Sequence, residues 1–234
     1  PDAVDEFYYY FYTNKNRTHN IRGKGKVTSS HADNDPSHYE EFRINDGITE
    51  LCDKCLNSIS ISSIELPSTL IKIGSSCFKG TRITSIRLPK SLVEIGHENF
   101  PWSLHYINIP PGLLQFPMDN LHECRELESI SVDDGNESYK LIDGVLYNYD
   151  VTVALLCPRT KSGQIVVPNT VKHIAEKCFQ YCTKITSIVL PYCLETIGDK
   201  AFSDMKVERL IIPNSVTNVG EYCFSNTSIG KVFK

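Results

Sequence analysis

The chain has 234 residues, 41% of them hydrophobic, so it is too apolar to be disordered and long enough for one large domain or two small ones. Its net charge of −4 and pI of about 6.0 give no overall attraction to nucleic acid or to an anionic membrane. No run approaches the roughly 18 apolar residues that a membrane-spanning helix needs, and the acidic amino end is unlike a signal peptide.

Residues 1–38 contain no repeat, and we predict that they form an amino-terminal capping segment. Phe7 begins a run of six aromatic residues that ends at Tyr12, and as a β-strand this run would present three rings on each face. Such a strand could close the open core of a first coil, or it could display an aromatic recognition patch. The basic stretch from Lys15 to Lys26 contains Gly and Asn but no acidic residue, and we interpret it as a solvated loop rather than a phosphate or heparin site.

From residue 39 to residue 234 the sequence repeats. A Pro follows two alternating aliphatic residues, another aliphatic residue stands at position +3 from the Pro, and an apolar residue stands at +6. Gly at +7, and Cys or Ala followed by Phe at +10 and +11, complete the pattern, as in the copy from Ile64 to Phe78. The Pro residues that set the frame, with spacings of 21 or 22 residues within each run, are Pro67, Pro89, Pro110, Pro191 and Pro213.

Each copy of the repeat predicts one coil of a solenoid. The alternating apolar residues point inward from a short strand, the Pro ends that strand, and the rest of the copy returns along the opposite wall. One coil cannot bury enough apolar surface to fold alone, so stacking of successive coils must stabilise the fold. Nine strands are predicted, beginning near Tyr39, Ile61, Ile83, Leu104, Leu127, Ser162, Ile185, Val207 and Ile229.

One copy is lengthened by an insertion that we assign to residues 133–161. Within it, the apolar runs 145–147 and 153–156 flank a polar turn at 148–150, a pattern that predicts a β-hairpin. Insertions in a solenoid tend to lie on one face and often contribute to its binding surface.

The repeat resembles the BspA-like leucine-rich repeats of bacterial and protozoan surface proteins. The resemblance rests on the succession Ile-x-Leu-Pro and Leu-x-x-Ile-Gly-x-x-Cys-Phe, covers about residues 39–234, and extends to the Asp-Gly-Val-Leu-Tyr stretch Asp143–Tyr147. It implies an α/β leucine-rich-repeat solenoid (horseshoe), dominated by β-strands, with about nine coils, one inserted β-hairpin and short helical or 3-10 turns on the convex side. It also implies adhesion, since family members are associated with binding host matrix proteins or other cells through repeats that are not catalytic.

No motif in the sequence indicates an enzyme, a cofactor site or a metal site, and we predict none of them. Cys52 and Cys55 form a CxxC motif, but both occupy packing positions of the repeat and no His cluster accompanies them. In-register thiols on successive coils lie about 4.8 Å apart, whereas a disulfide needs Cβ atoms about 3.8 Å apart, so we expect mostly free, buried thiols. Three glycosylation sequons, a number that chance explains, begin at Asn16, Asn136 and Asn226.

The residue two positions before each strand-ending residue is predicted to face outward and to line the exposed strand face. Its first five occurrences are polar and its last four are apolar. In chain order they are Arg43, Glu65, Arg87, Asn108, Ser131, Val166, Val189, Ile211 and Phe233.

The four apolar residues lie on adjacent predicted strands and should form a continuous exposed stripe, a feature that tends to mark an interaction site. Alternatively, β-branched residues at these positions merely suit a strand, or a further carboxy-terminal segment covers them. Our hypothesis is that the stripe contacts a partner protein together with three flanking residues. The candidate partner-binding residues are Val166, Val189, Ile211, Phe233, Arg87, His105 and Tyr106.

Two classes of function remain open at this point. The first is an extracellular adhesion module at the cell surface, with a protein or glycoprotein ligand on the strand face and no nucleic-acid partner. The second is a cytoplasmic protein-interaction scaffold or a self-assembling structural protein, which free thiols and unoccupied sequons would favour. Lys234 falls within a predicted strand, so the chain is expected to be a fragment or to form a homodimer through its carboxy-terminal edge.

Overall fold

The structure is a computed structural model that describes residues 8–13, 18–28 and 41–233. These residues form two compact units, each a β-solenoid in which short parallel strands stack from coil to coil. All nine predicted strands are present, and each begins within two residues of its predicted position. The predicted helical turns are represented in the described residues by one four-residue helix, while the other return segments are turns and short strands. No helix in the described part of the chain has the length and apolarity needed to cross a membrane.

The first unit comprises Pro1–Arg125 and Asp133–Asn136. Its elements in chain order are β1 (Tyr8–Thr13), β2 (Thr18–Val27), β3 (Glu41–Ile44), β4 (Ile48–Leu51), β5 (Ser63–Glu65), β6 (Lys72–Ile73), β7 (Ser85–Ile86), β8 (Glu94–Ile95), β9 (Tyr106–Ile109) and α1 (Asp119–His122). Parallel pairs β3–β5 and β7–β9 form one wall, and the parallel ladder β4–β6–β8 forms the other. Phe42 on β3 and Ile73 on β6 are both fully buried, so the two walls share one core.

The prediction of a solvated loop from Lys15 to Lys26 was wrong from residue 18 onward, because residues 18–27 form the ten-residue strand β2. The start of β2 pairs in parallel with β3 and its end pairs in parallel with β4, so this strand supplies the first rung of both walls. Ile21 and Val27 are buried whereas Arg22 and Lys24 are exposed, which is the two-residue alternation of a strand.

The strand β1 lies antiparallel to β2, with Tyr8 opposite Lys24 and Thr13 opposite His19. Phe7 and Lys15 lie outside the described residues. The role of residues 1–38 as a cap stays a prediction.

The second unit comprises Glu126–Val132 and Glu137–Lys234. Its elements are β10 (Ser129–Val132), β11 (Tyr139–Ile142), β12 (Val145–Asn148), β13 (Val153–Leu156), β14 (Gly163–Val166), β15 (His173–Ile174), β16 (Ile185–Val189), β17 (Thr196–Ile197), β18 (Lys206–Ile211), β19 (Asn218–Val219) and β20 (Ser228–Phe233). Strands β14, β16, β18 and β20 form a parallel sheet on one wall, and the opposite sheet has the order β11-β12-β13-β15-β17-β19.

The insertion contains the predicted hairpin and one further strand. Strands β12 and β13 pair in the antiparallel sense, and the Asn148 side-chain oxygen accepts hydrogen bonds from the backbone N–H groups of Thr152 and Val153 at 2.9 and 2.8 Å. Strand β11 joins β12 through a two-residue turn at Asp143 and Gly144, whose positive φ values of 47° and 76° suit a tight hairpin. Strand β13 then pairs in parallel with β15, so the insertion begins one sheet of the second unit.

Two columns of residues set the close stacking of coils. A Cβ atom added to Gly198 would lie 2.6 Å from the backbone nitrogen of Glu176 on the preceding coil, which leaves no room for any side chain. The Phe column stacks ring on ring, with centroids 5.4 Å apart for Phe179 and Phe202 and 5.7 Å apart for Phe202 and Phe224. The repeat therefore keeps Gly where backbones meet and Phe where the core is filled.

Candidate functional site

The strand wall of the second unit exposes a row of three aliphatic side chains, Val166, Val189 and Ile211, which we call the apolar stripe. Their exposed fractions are 59%, 46% and 38%. The residues that precede them in each strand point into the core and are at most 3% exposed, as strand alternation requires. These buried neighbours are Ile165, Ile188 and Leu210.

The strand register makes the stripe continuous. Val166 is paired with Val189, and the pairing of Ile188 with Leu210 places Ile211 beside Val189. Adjacent strands lie about 4.8 Å apart, so no polar side chain separates the three residues. Phe233 is paired with Ile211 through the backbone, but its side chain lies outside the described residues.

A groove of about 530 Å³ lies along two of the three residues of the stripe. Val189 and Ile211 line it together with Tyr192, whose side chain is 78% exposed. Gln164 and Ser187, which are paired on β14 and β16, add an amide and a hydroxyl to the lining. The groove can thus bury apolar side chains of a partner while offering a few hydrogen-bonding groups.

The equivalent strand face of the first unit carries charges instead. The Arg43 Nε atom lies 2.6 Å from a carboxylate oxygen of Glu65 on the next strand, and a second nitrogen of Arg43 lies 3.5 Å from Glu41. All three side chains are at least 44% exposed, so this face is a hydrated ion-pair surface.

Three of the seven candidate partner-binding residues lie in the first unit. Arg87 is exposed, and one of its guanidinium nitrogens lies 3.7 Å from Asp133. His105 directly precedes β9, Tyr106 begins it, and both are half-buried. The structure brings Val166, Val189 and Ile211 together. That Arg87, His105 and Tyr106 belong to the same partner-binding surface stays a prediction.

Asn108 was expected to face outward, but it is fully buried. Its side-chain oxygen accepts a hydrogen bond from the Leu88 N–H at 2.7 Å, and its amide nitrogen donates to the Leu88 carbonyl and to Asp133. An amide can satisfy both backbone groups of a neighbouring strand end, which offsets the cost of its burial.

The following turn is held by a second buried amide. The Asn136 nitrogen donates to the carbonyl oxygens of Pro110 and Leu113 at 2.8 and 3.3 Å, and the residue is 7% exposed.

Three residues that line the groove were not predicted from the sequence: Tyr192, Gln164 and Ser187. Gln164 and Ser187 occupy outward positions two residues before the stripe, so the alternation of the strands could have identified them. Tyr192 directly follows Pro191, where the other copies carry small, polar or prolyl residues, and an aromatic at that position was a usable signal.

The cysteines are packing residues in this structure. All nine are free thiols, of which Cys52 and Cys193 are half-buried and the others buried. Burial raises the pKa of Cys52 to about 12 and that of Cys223 to about 11, so both thiols are protonated and poorly nucleophilic near neutral pH. Among the described residues, no group of three or more His, Cys, Asp or Glu side chains is placed to hold a metal ion.

The repeating coils, the strand-ending prolines and the Gly and Phe columns define the protein as a leucine-rich-repeat solenoid. A family model for the BspA type leucine rich repeat region matches residues 33–144 and 157–233 in six copies. The chain therefore belongs to the BspA-type leucine-rich-repeat family, as the sequence predicted. Families of this kind are typically binding scaffolds. A comparison with curated protein sequences gives no match.

Solved structures share the fold. A leucine-rich repeat protein from Eubacterium ventriosum is 24% identical with a TM-score of 0.75, and the match covers 98% of this chain and 72% of that one. The pneumococcal vaccine antigen PcpA is 20% identical with a TM-score of 0.59, over 97% of this chain and 80% of its own. A leucine-rich repeat protein from Bacteroides ovatus is 21% identical with a TM-score of 0.52, over 95% of this chain and 62% of its own.

Proposed function

We propose that this protein is a non-enzymatic binding module and that a partner protein docks on the apolar stripe. The observation that carries the proposal is the groove of about 530 Å³ along Val189 and Ile211, with exposed Tyr192 at its side. Contiguous aliphatic surface in water is unfavourable, and burying it against a partner stabilises the complex by about 25 cal/mol per Å² of apolar area. Aromatic residues such as Tyr are enriched among the residues that dominate binding energy.

We further propose that the protein acts in adhesion at the cell surface, binding host matrix or cell-surface molecules. Membership of the BspA-type family supports this role, and the similar pneumococcal protein is described as a vaccine antigen.

The free thiols favour a second candidate, an intracellular protein-interaction scaffold or self-assembling structural protein. Nine free cysteines in one chain suit a reducing compartment, because oxidising compartments promote disulfides. Counting thiols in unreduced native material separates the two candidates.

The docking proposal is tested by pull-down of extracellular-matrix and cell-extract proteins with the native protein and with the double variant Val189→Glu and Ile211→Glu. Two carboxylates in the groove should abolish capture of the partner, because they would be buried without a counter-charge. The control is Thr186→Glu, which adds one carboxylate at an exposed position of β16 outside the groove and is compared with each single Glu variant as well as with the double variant. Equal capture by the double variant and the wild type contradicts the proposal.

A homodimer through the carboxy-terminal edge is also part of the proposal. Strand β20 is the last strand of its sheet among the described residues, and an edge strand can pair with another chain. Sedimentation velocity at several concentrations tests this, since a strict monomer throughout excludes the dimer.

A further inference from the structure

A second groove, of about 620 Å³, lies in the first unit at the turns that lead into the strand wall. Its floor includes Phe100 and Pro101, both buried in the coil. Its wall includes Trp102, whose side chain is 60% exposed and which is the single Trp of the chain. A Trp ring is usually well buried, so an indole held at the mouth of a groove is a feature that folding alone does not require.

The same groove is lined by two cations. The Lys79 ammonium forms an ion pair of 2.5 Å with Glu98, which lies outside the lining. The Arg125 guanidinium lies 3.8 Å from Glu123 through one terminal nitrogen, and its side chain is 67% exposed. That distance is longer than the roughly 2.7–2.9 Å of a good charge-assisted hydrogen bond. Among the described residues, most of the five N–H donors of Arg125 are therefore available to a ligand.

We propose that this groove binds an acidic pyranose, a sialic or uronic acid residue of a glycan. The C–H bonds on one face of a pyranose ring carry partial positive charge, and they suit the negative face of the Trp102 indole. The planar fork of Arg125 matches the geometry of a carboxylate and can bind it through two parallel hydrogen bonds. Glu123 beside it can accept hydrogen bonds from the sugar hydroxyls.

The size and the polar lining of the groove suit an acidic sugar. Its volume falls within the range of about 300–1,000 Å³ that is usual for small-ligand pockets, and one or two pyranose rings fill such a space. A ligand that carries both a carboxylate and hydroxyl groups can use the two charged side chains that lie close together, Arg125 as a donor and Glu123 as an acceptor.

The inference does not depend on the docking proposal, because the two grooves share no lining residue. If the sugar does not bind at Trp102, the docking proposal for the apolar stripe still stands. If the stripe variants capture the partner normally, the sugar proposal still stands.

The test uses the full chain and its own fluorescence, since Trp102 is the sole indole reporter. Titration with 3′-sialyllactose and with a hyaluronan tetrasaccharide distinguishes sialic from uronic acid, and lactose is the neutral control. We expect a saturable change in Trp emission with at least one acidic sugar and none with lactose. Arg125→Gln should weaken binding about tenfold or more, the loss expected for a charge-assisted contact.

Trp102→Ala removes the reporter, so its affinity is measured by ligand-detected NMR, where binding should be lost. Tyr222→Ala is the matched control, because it removes an aromatic of similar exposure, 66% against 60% for Trp102, from the second unit and should bind the sugar normally. Both positions are exposed, and unchanged thermal melting checks that the variants fold. Equal binding of lactose, no response to either acidic sugar, or full displacement by an acidic peptide would each overturn the proposal.

Discussion

Two positions before the Pro position of the repeat, the first unit carries Arg43 and Glu65 in an ion pair, and the second carries Val189 and Ile211 side by side in a groove. The residue that directly precedes each of them is aliphatic or aromatic and buried in both units. The repeat therefore constrains the core positions tightly and leaves the outward positions open to other requirements. Exposed ion pairs contribute little to stability, about 0–1 kcal/mol, so the charged face is also free to vary.

The cores of the two units should be equally sensitive to the loss of a buried aromatic ring. Phe78→Ala in the first unit and Phe202→Ala in the second each remove a fully buried ring from its column. Both should destabilise the protein by about 3–5 kcal/mol, because each leaves a large cavity. Chemical denaturation measures the loss, and Phe→Leu at the same positions should cost less. If Phe78→Ala lowers the free energy of unfolding and Phe202→Ala leaves it unchanged, the two cores differ.

Coil stacking is probed by Gly96→Ala and Gly198→Ala. Their new Cβ atoms would lie 2.6 Å from the backbone nitrogens of Ser75 and Glu176, respectively. Each substitution should cost about 1–3 kcal/mol through overpacking. Gly163→Ala is the control, because its φ is +84° but nothing lies within 4 Å of the added atom, and it should cost about 1 kcal/mol from backbone strain alone. Equal losses at Gly198 and Gly163 would mean that the coils can move apart.

Alkaline pH should weaken both units through their buried thiols. Burial raises the pKa of Cys223 to about 11 and of Cys52 to about 12, above the usual value of 9.0. The fold favours the neutral thiols, so this contribution is complete below pH 9 and is lost as pH rises toward those values. Melting temperatures between pH 8 and about 11 measure the decline. In the Cys223→Ala variant the melting temperature should fall less steeply with rising pH. An unchanged slope in that variant would show that the Cys223 thiol does not cause the decline.

The smallest change in stability is expected for an exchange of the two faces. Val189→Arg with Ile211→Glu copies the ion pair of the first unit onto the second, and the free energy of unfolding should change by about 0.5 kcal/mol or less. Partner capture should nevertheless be lost. The reciprocal pair, Arg43→Val with Glu65→Ile, should be equally mild for stability. A large destabilisation by either exchange would show that the outward positions support the fold.

The repeat frame predicted the positions of the strands because Pro67, Gly74 and Phe78 each report a local requirement of one coil: a strand end, a close backbone contact and a filled core. The frame failed where pairing with neighbouring strands determines the secondary structure of a segment. Gly23 and Gly25 suggested a loop, but pairing with β3 and β4 makes their segment a strand.

The candidate site was predicted only in part. The alternation of outward residues identified Val189 and Ile211. Burial of Asn108 depends instead on its hydrogen bonds to the Leu88 backbone and to Asp133, and the position of Asn108 in the repeat does not reveal these partners. The grooves beside Tyr192 and Trp102 likewise arise from residues on successive coils.

The buried amide of Asn136 has a consequence for the sequon that it begins. Both hydrogens of that amide face the carbonyl oxygens of Pro110 and Leu113, so a glycosyltransferase cannot reach the nitrogen in the folded chain. A sugar attached there could only have been added before the turn closed, and it would prevent the turn from closing. In a host that glycosylates secreted proteins, occupancy at Asn136 would therefore mark molecules that had failed to fold, while the exposed Asn226 could be modified after folding.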